Sequence, residues 1–296
     1  MKKSILWVAF MVLAATTFVS CGSAKKTVKK DMGIQLYSLR NEFANCNGNY
    51  MPILEDLAKW GYTSVEAASY DQGNGLFYGS KPEEFKKNVE SVGMKVLSSH
   101  TTRNLSAEEI ANHDFTAALE WWKKAIADHK AAGMEYIVTP WLSVPATLAE
   151  LKTICEYMNE VGKLCAEAGL KYGYHSHSHE FKKVEDKVML KYMLENTDPK
   201  YVFFELDVYW CVIGQAAPVE YFREYPGRFT MLHIKDLCTV GESGMVGFDA
   251  IFANAELAGM KDFIVEVECD PRPSVENSAK YLLNADFVKT SYRDQK

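Results

Sequence analysis

The segment Tyr174–Glu180 reads YHSHSHE and carries three histidines and one glutamate within seven residues. If this segment is extended, His175, His177 and His179 project from one face, because side chains alternate along a strand. Imidazole and carboxylate groups bind divalent metals, and imidazole also transfers protons near neutral pH. A single inward-facing histidine is more often a hydrogen-bonded core residue. The segment is therefore a candidate metal or proton-transfer site that needs support from elsewhere in the chain.

Three later apolar runs supply that support, because each carries charged or imidazole side chains at alternate positions. These side chains are Glu205 and Asp207, then His233 and Lys235, then Glu266 and Glu268. The apolar positions between them are expected to pack under helices, which turns the polar side chains the other way. Carboxylates gathered in a small space repel one another and lose hydration. Lys235 offsets only one charge, so we expect one divalent cation: Mn²⁺, Co²⁺, Fe²⁺, Zn²⁺ or Mg²⁺.

The runs belong to a repeated pattern of short apolar stretches separated by helical stretches. The apolar stretches begin 28 to 41 residues apart, near Ile34, Tyr62, Lys95, Tyr136, Tyr172, Val202, Thr230 and Phe263. Each interval fits one strand–helix–strand unit. Six of these stretches follow a glycine of the kind that ends helices, namely Gly61, Gly93, Gly133, Gly169, Gly227 and Gly259. The pattern predicts eight strands alternating with eight helices.

Such a pattern over roughly 260 residues predicts an α/β fold, a single (β/α)8 TIM barrel spanning residues 32–296. An open doubly wound sheet is the competing fold, but no G-x-G-x-x-G follows the first run. Active sites of such barrels lie at the carboxyl ends of the strands, where the polar side chains are expected to gather. Glu66 and His100 end the second and third runs, so each is either a substrate contact at this rim or a hydrogen-bonded structural residue.

Composition excludes several classes of protein. The 296 residues are 48% hydrophobic and 24% charged, which is typical of a folded globular chain rather than a disordered one. The net charge is −6, from 33 Lys and Arg against 39 Asp and Glu. Nucleic acid is not an expected partner, because phosphate binding requires a basic surface.

The first 31 residues are predicted to direct and tether the chain. A lysine pair, an apolar run from Ile5 to Ala15 and the segment FVSC ending at Cys21 are typical of a bacterial lipoprotein signal peptide over residues 1–21. Residues 22–31 are then a flexible, lysine-rich tether. We expect an exported, periplasmic protein anchored to a membrane only through a lipid on Cys21; plain secretion is the alternative.

The motifs GIQLYSLR, YHSHSHEF, ELDVYW, LHIKD and IVEVECDP follow one another along the chain. In this order they resemble the xylose isomerase-like TIM-barrel superfamily, the sugar phosphate isomerases and epimerases. The resemblance implies a single divalent metal held by Asp207, His233 and Glu266. The fourth ligand would be Glu180, with His175 as its rival, because His175 stands where better-known epimerases carry a ligand glutamate.

The implied activity is that of a metal-dependent sugar isomerase or epimerase, which moves a proton next to the carbonyl of a sugar or keto-sugar. Glu266 or His175 would be the base, and Lys235 or His177 would stabilise the negative charge that develops on oxygen. Predicted substrate contacts are His177, His100, Tyr37, Trp210, Glu66 and Glu268.

Two other functions stay open from the sequence. One is a metal-dependent lyase or hydratase acting on 3-keto-glycosides, which the strand-five histidines favour. The other is a non-catalytic sugar-binding lipoprotein that has kept the barrel. Trp121 and Trp122 lie on a helix that either packs on a second subunit, giving a homodimer, or is simply longer and buried.

Overall fold

The computed structural model describes residues 29–269 and 271–294, and within them eight parallel strands form a closed barrel. The barrel strands are β1 (Gly33–Gln35), β2 (Ser64–Ala67), β3 (Lys95–His100), β4 (Tyr136–Thr139), β5 (Lys171–His175), β6 (Val202–Asp207), β7 (Met231–Lys235) and β8 (Asp262–Glu266). Each strand pairs with its neighbours in sequence, and β1 closes the barrel against β8 through the pair Gly33 and Ile264. The predicted single (β/α)8 barrel is confirmed.

One principal helix follows each strand. These helices are α1 (Met51–Trp60), α2 (Pro82–Ser91), α3 (Thr116–Ala131), α4 (Leu148–Glu167), α5 (Met189–Asn196), α6 (Pro218–Glu224), α7 (Phe248–Ala253) and α8 (Pro271–Asn284). Shorter helical segments span Leu36–Leu39, Arg40–Asn45, Ala107–Asn112, His179–Phe181, Val208–Ile213 and Ala255–Ala258. Two small hairpins pair Tyr70–Asp71 with Leu76–Phe77 and Lys183–Val184 with Lys187–Val188. Among the described residues, no helix combines the length and apolar character that a membrane span requires.

Local signals in the sequence explain where several helices begin and end. Ser106 and Thr147 are N-caps, and each accepts a hydrogen bond from the backbone N–H three residues later, at 3.2 Å. Gly61 ends α1 with a φ of 105°, in the left-handed region that only glycine adopts without strain. The other five glycines predicted to end helices also have positive φ. Residues next to each helix end therefore account for where these helices begin and end.

The barrel wall separates two apolar regions. Alternate strand residues pack outward against the helices in one large core, including Phe204, Leu206, Leu232, Ile234, Val265 and Val267. A small second cluster, of Leu97, Tyr136, Val138, Phe203, Met231 and Ile264, fills the interior at the other positions. The polar residues of the carboxyl-terminal face lie above this second apolar cluster, as strand alternation predicts.

The ends of the described chain are tied to the barrel. The Lys30 ammonium donates to the carbonyls of Leu282 and Ala285 at the end of α8, and the Asp31 N–H donates to Thr290. Lys30 and Asp31 belong to the predicted tether, so its last two residues pack against the folded body. The predicted signal peptide, Cys21 and residues 22–28 lie outside the described residues.

The tryptophan pair on α3 packs within this chain. Trp122 is fully buried and its indole N–H donates to the Tyr157 hydroxyl at 2.6 Å. Trp121 is half-buried and its ring lies edge-on to Tyr70. The apolar face of α3 is thus used in the core, and the homodimer stays a prediction.

Candidate metal and active site

Strand register places the polar side chains of four consecutive strands side by side. Asp207 on β6 is opposite His233 on β7, and Lys235 on β7 is opposite Glu266 on β8. One layer deeper in the barrel, Glu205 on β6 is opposite His175 on β5. All of these side chains are buried. The sequence places them far apart along the chain, and the closed barrel brings them into one cluster.

Four of these residues form what we call the mouth group: His175, Asp207, His233 and Glu266. Each offers one ligand atom, and those atoms lie within 4.8 Å of one another. Among the residues described, Asp207 Oδ2 and His233 Nδ1 are buried without a hydrogen-bond partner. Buried polar atoms are rarely left unpaired, and a bound cation would satisfy both. Two imidazoles and two carboxylates therefore fit a divalent metal.

Asp207 has a double role at the end of β6. Its Oδ1 atom accepts a hydrogen bond from the Trp210 backbone N–H at 2.8 Å, which caps the helical segment Val208–Ile213. This contact fixes the carboxyl group and leaves Oδ2 for the mouth group. Burial raises the pKa of Asp207 to about 7, against the opposing charges of Lys235 and His233. A cation at the mouth would restore the ionised form.

Lys235 and Glu266 form a buried ion pair at the mouth, with Nζ and Oε2 separated by 3.1 Å. Lys235 also donates to Glu268, which is partly exposed at the rim. Burial favours the neutral form of Glu266, but nearby His233 and Lys235 outweigh it and hold the pKa of Glu266 below its ordinary value. Burial likewise opposes the charge of Lys235, while Glu266, Asp207 and Glu268 raise its pKa. Both groups are therefore charged at neutral pH.

A second set of side chains, which we call the deep group, lies below the mouth and comprises Glu66, His100 and Glu205. His100 Nε2 lies 3.0 Å from both Glu66 Oε1 and Glu205 Oε2. Burial disfavours the charge of His100, but the two carboxylates outweigh it and raise its pKa to about 9. Glu66 is fully buried, so the structure places it beneath the mouth rather than at the predicted rim.

The deep group also holds the two histidines of the mouth group. Glu66 Oε1 lies 2.8 Å from His233 Nε2, and Glu205 Oε2 lies 3.0 Å from His175 Nδ1. Burial, followed by the neighbouring histidines, holds the pKa of His175 well below its usual range, so its ring is neutral. The pKa of His233 is well above its usual range, because Glu205 and Glu66 outweigh the effect of burial.

Glu180 is not part of the mouth group. Its Oε1 atom accepts a hydrogen bond from the Tyr174 hydroxyl at 2.5 Å, and its Oε2 atom accepts one from the His177 backbone N–H at 2.8 Å. Glu180 lies on the short helical turn His179–Phe181, and it is not among the residues whose ligand atoms lie close together at the mouth. Of the two candidates for the fourth ligand, the structure therefore brings His175, and not Glu180, to the other three residues.

Aromatic and imidazole rings line the mouth above β4, β5 and β6. The His177 ring centroid lies 5.1 Å from that of Trp141 and 5.8 Å from that of Trp210. Burial lowers the pKa of His177 to about 4, and its Nδ1 atom is buried without a partner among the described residues. His177 is thus a neutral ring able to accept a proton or a hydrogen bond. Tyr37 lies further out, with the Arg40 guanidinium 4.4 Å from its ring centroid.

Glu205 is the site residue whose role the sequence analysis did not predict. Its position on the inward face of β6 was clear from the alternation with Phe204 and Leu206. Its contact with His175 was not, because that depends on the register between β5 and β6. The only local signal is its spacing of two residues from Asp207, which places it one layer deeper on the same face.

A disulfide joins the loops that follow β7 and β8, between Cys238 and Cys269. The first cysteine is three residues beyond Lys235 and the second is one residue beyond Glu268. The bond therefore fixes the two segments that carry the Lys235–Glu268 contact. The other cysteines of the described chain are free thiols: Cys155, Cys165 and Cys211 are buried, as expected for small apolar residues, and Cys46 is half-buried.

Known proteins resemble this chain in sequence and in structure. A crystal structure of a sugar phosphate isomerase/epimerase from Parabacteroides distasonis is 38% identical, with a TM-score of 0.79, and covers 94% of this chain and all of that one. A crystal structure of the IOLI protein with a bound zinc atom is 13% identical, with a TM-score of 0.65 over 88% of this chain and 99% of that one; this likeness concerns the fold alone.

Among curated proteins, an inosose dehydratase from Bacillus cereus is 27% identical over 165 residues, which is 47% of this chain. The matched region is 53% of the relative, so the chain spans about half the length of the curated relatives it matches. The family model described as xylose isomerase-like TIM barrel matches residues 54–289. With its closed eight-stranded barrel and this match over most of its length, the chain belongs to the xylose isomerase-like TIM-barrel family.

Proposed function

We propose that this protein is a divalent-metal-dependent isomerase or epimerase that moves a proton next to the carbonyl of a sugar or keto-sugar. The observation that carries the proposal is the mouth group, in which Asp207 Oδ2 and His233 Nδ1 are buried without a hydrogen-bond partner among the described residues, with His233 Nδ1 3.5 Å from Glu266 Oε2. A sugar substrate is supported by the family, and by the sugar phosphate isomerase/epimerase with which the chain shares 38% identity.

The residues that would hold the metal are His175, Asp207, His233 and Glu266. Mixed imidazole and carboxylate ligands suit Mn²⁺, Co²⁺, Fe²⁺ or Zn²⁺ better than Mg²⁺, which prefers oxygen. When bound, such an ion polarises the substrate carbonyl and makes the proton on the neighbouring carbon more acidic. The ligand role of His175 replaces that of Glu180, whose oxygens already accept hydrogen bonds from Tyr174 and His177.

Three side chains at the mouth have distinct roles in the proposed proton transfer. Glu266 is ionised and has two oxygens, so one could bind the metal while the other serves as the base; His175 is held through Nδ1 by Glu205, so its one remaining nitrogen cannot both bind a metal and accept the proton. Lys235 is charged and buried, so it is suited to stabilise negative charge on a substrate oxygen. Neutral His177, whose buried Nδ1 has no hydrogen-bond partner among the described residues, is suited to accept a hydrogen bond from a substrate hydroxyl.

Deuterium exchange tests the proposal directly. The Mn²⁺-loaded protein is incubated with a panel of free keto-sugars in D₂O, and the carbon next to the carbonyl is followed by NMR. We expect deuterium incorporation together with an isomerised or epimerised product. Asp207→Asn, which keeps the side-chain volume and the helix cap, is expected to slow exchange by on the order of 100-fold or more, since even changes outside the ligand shell cost roughly 10–100-fold. A metal-loaded protein that binds sugars but exchanges no proton in any of them is a binding protein, and the proposal is then rejected.

A lyase or hydratase acting on 3-keto-glycosides is the second candidate. Two observations favour it: the curated relatives are inosose dehydratases, and β5 presents imidazoles where an epimerase would use a second carboxylate base. Elimination needs one base and one proton donor for the leaving group; ionised Glu266 could take the proton from carbon, and the Lys235 ammonium could donate a proton to the leaving oxygen. The same D₂O experiment separates the two, because elimination gives an unsaturated keto-sugar that absorbs in the ultraviolet, whereas isomerisation does not.

We also propose that the protein is exported and anchored through a lipid on Cys21. The disulfide Cys238–Cys269 supports an oxidising compartment, since such bonds persist outside the cytoplasm. Metabolic labelling with a radioactive fatty acid should mark the wild-type chain and not Cys21→Ser. A wild-type chain that takes up no label in a lipoprotein-processing host would rule out the anchor.

A further inference from the structure

Two histidines link the mouth group and the deep group. His175 and His233 belong to the mouth group, and each also contacts a carboxylate of the deep group. A second set of four residues within ligand distance of one another consists of His100, His175, Glu205 and His233. The barrel therefore offers two positions for a cation, one above the other. The hydrogen bonds of the deep group distinguish between them.

At the deep position, Glu66 and Glu205 contact the rings of His100, His175 and His233. In each of these contacts, a carboxylate oxygen lies at hydrogen-bond distance from a ring nitrogen. Glu66 is saturated: Oε1 accepts from Gln35 at 2.8 Å and contacts His100 and His233, and Oε2 accepts from Ser98 at 2.6 Å. Protons on the ring nitrogens already fill the space that a metal would occupy. Among the described residues, Glu205 Oε1 is the one carboxylate oxygen of the deep group that is buried without a hydrogen-bond partner, and the contacts of the other three carboxylate oxygens are made without a metal.

At the mouth, the opposite holds. His233 uses Nε2 for Glu66, which leaves Nδ1 without a hydrogen-bond partner in the described part of the chain, 3.5 Å from Glu266 Oε2; His175 uses Nδ1 for Glu205, which leaves Nε2. The carboxylate fixes which nitrogen of each ring keeps a proton, so the other nitrogen, once it has released any proton of its own, presents a lone pair to the mouth. Both lone pairs are what a metal at the mouth requires.

We propose that Glu205 and Glu66 are positioning residues that orient His175 and His233 for a metal at the mouth. This inference rests on the proposed function, in which the mouth group binds that metal. Glu205 acts on His175 and Glu66 acts on His233; Glu205 Oε2 also lies 3.3 Å from His233 Nε2 and supports that ring as well. His100 lies 3.0 Å from both carboxylates and allows two buried acids to stand next to each other. On this assignment, neither Glu66 nor His100 contacts the substrate, and the chain binds one metal ion rather than two.

The test measures metal binding by the full-length protein, with Zn²⁺ and Co²⁺ as probes. Wild type is compared with Glu205→Gln, which keeps the volume and an acceptor oxygen, and with Glu205→Leu, which removes the acceptor. We expect one ion per wild-type chain, and a dissociation constant raised by roughly 10–100-fold in Glu205→Leu and by less in Glu205→Gln. The visible absorption of bound Co²⁺ should shift in both variants, because the orientation of the His175 ring changes. Glu66→Gln should act in the same way through His233.

Asp262→Asn is the matched control for losing a buried carboxylate. Asp262 lies at the opposite end of the barrel, where it accepts hydrogen bonds from Arg293 and Tyr136. Its replacement should lower the melting temperature of the metal-free protein but leave the dissociation constant and the Co²⁺ spectrum unchanged. Melting the Glu205 variants in the presence of a chelator separates lost stability from lost metal affinity, and Glu205→Gln remains available if Glu205→Leu does not fold.

The outcomes separate this inference from the proposed function. A wild type that binds no divalent ion rejects both. A wild type that binds one ion, with wild-type affinity and an unchanged Co²⁺ spectrum in the Glu205 and Glu66 variants, rejects only the positioning role. Two ions per wild-type chain, of which one is lost in Glu205→Gln, would show that the deep group is itself a metal site, which also overturns the inference.

Discussion

His233 and Glu66 are 167 residues apart in the chain, yet His233 Nε2 and Glu66 Oε1 lie 2.8 Å apart inside the barrel. The two residues belong to β7 and β2, which are not neighbouring strands, so the contact crosses the interior. It exists because each strand contributes alternate side chains to the same narrow space. This contact ties the candidate metal site to the opposite wall of the barrel.

Metal binding is expected to release protons and to weaken as the pH falls. In the metal-free protein, burial gives Asp207 a pKa of about 7, and His233 has a pKa well above its usual range. Both groups must lose their protons to bind a metal, so protons compete more effectively at low pH. We expect the apparent affinity to fall by up to about tenfold per pH unit for each proton released.

Calorimetry between pH 6 and pH 8, in buffers of different ionisation enthalpy, counts these protons. Asp207→Asn cannot titrate at this position, so it should release one proton fewer. An affinity that is independent of pH over this range would contradict the placement of the metal at Asp207 and His233.

His129 is expected to make stability depend on pH without any metal. It is fully buried on α3, with Thr101 Oγ1 2.8 Å from Nε2, and burial lowers its pKa to about 4. The unfolded chain, with a pKa near 6.5, binds a proton more readily than the folded one. The contribution of neutral His129 to the free energy of unfolding is therefore fully present above pH 6.5. It is lost as the pH falls toward 4, by about 3 kcal/mol in total.

Urea unfolding at several pH values measures this slope. His129→Gln carries no titratable group, so it should lose less stability than wild type between pH 6.5 and pH 4, whatever its stability at pH 7. Identical slopes in the two proteins would exclude His129 as the source.

The disulfide between Cys238 and Cys269 is expected to stabilise the fold. It closes a loop with a sequence separation of 31 residues, and cross-links of that length typically contribute about 2–4 kcal/mol to the free energy of unfolding. The double variant Cys238→Ser/Cys269→Ser should lose that amount in denaturant titrations. Cys46→Ser, at a half-buried free thiol, is the control and should change stability by much less. A double variant as stable as this control would contradict the prediction.

Trp210 is expected to contribute more to substrate binding than Tyr37. The Trp210 ring lies beside His177 and below the Lys235 ammonium at the mouth, whereas the Tyr37 ring packs against its own neighbour Arg40. Aromatic contacts are worth about 0.5–1.5 kcal/mol beyond the area they bury.

For whichever keto-sugar supports deuterium exchange, Trp210→Ala should raise KM about threefold to tenfold. Tyr37→Ala should raise it by less. Equal effects of the two substitutions would place the sugar away from the Trp210 side of the mouth.

The sequence determined the fold and the direction of most site residues. Alternation along β6, β7 and β8 predicted that Asp207, His233 and Glu266 face the interior, since a two-residue period is a local property of each strand. Helix ends are equally local: Ser106 and Thr147 cap their helices through residues three positions later, and Gly61 ends α1 where the glycine pattern predicted.

Tertiary structure decided which of these side chains meet. From the sequence, Glu180 was the predicted fourth ligand and His175 its rival, but the turn His179–Phe181 directs Glu180 to Tyr174, while the register of β5 against β6 sets His175 beside Glu205. Contacts across the barrel, such as that of Glu66 with His233, form only when all eight strands close into a barrel with one particular register between neighbouring strands. The alternation of side chains along a strand depends only on neighbouring residues, whereas the distances between side chains on remote strands are set only when the whole barrel packs.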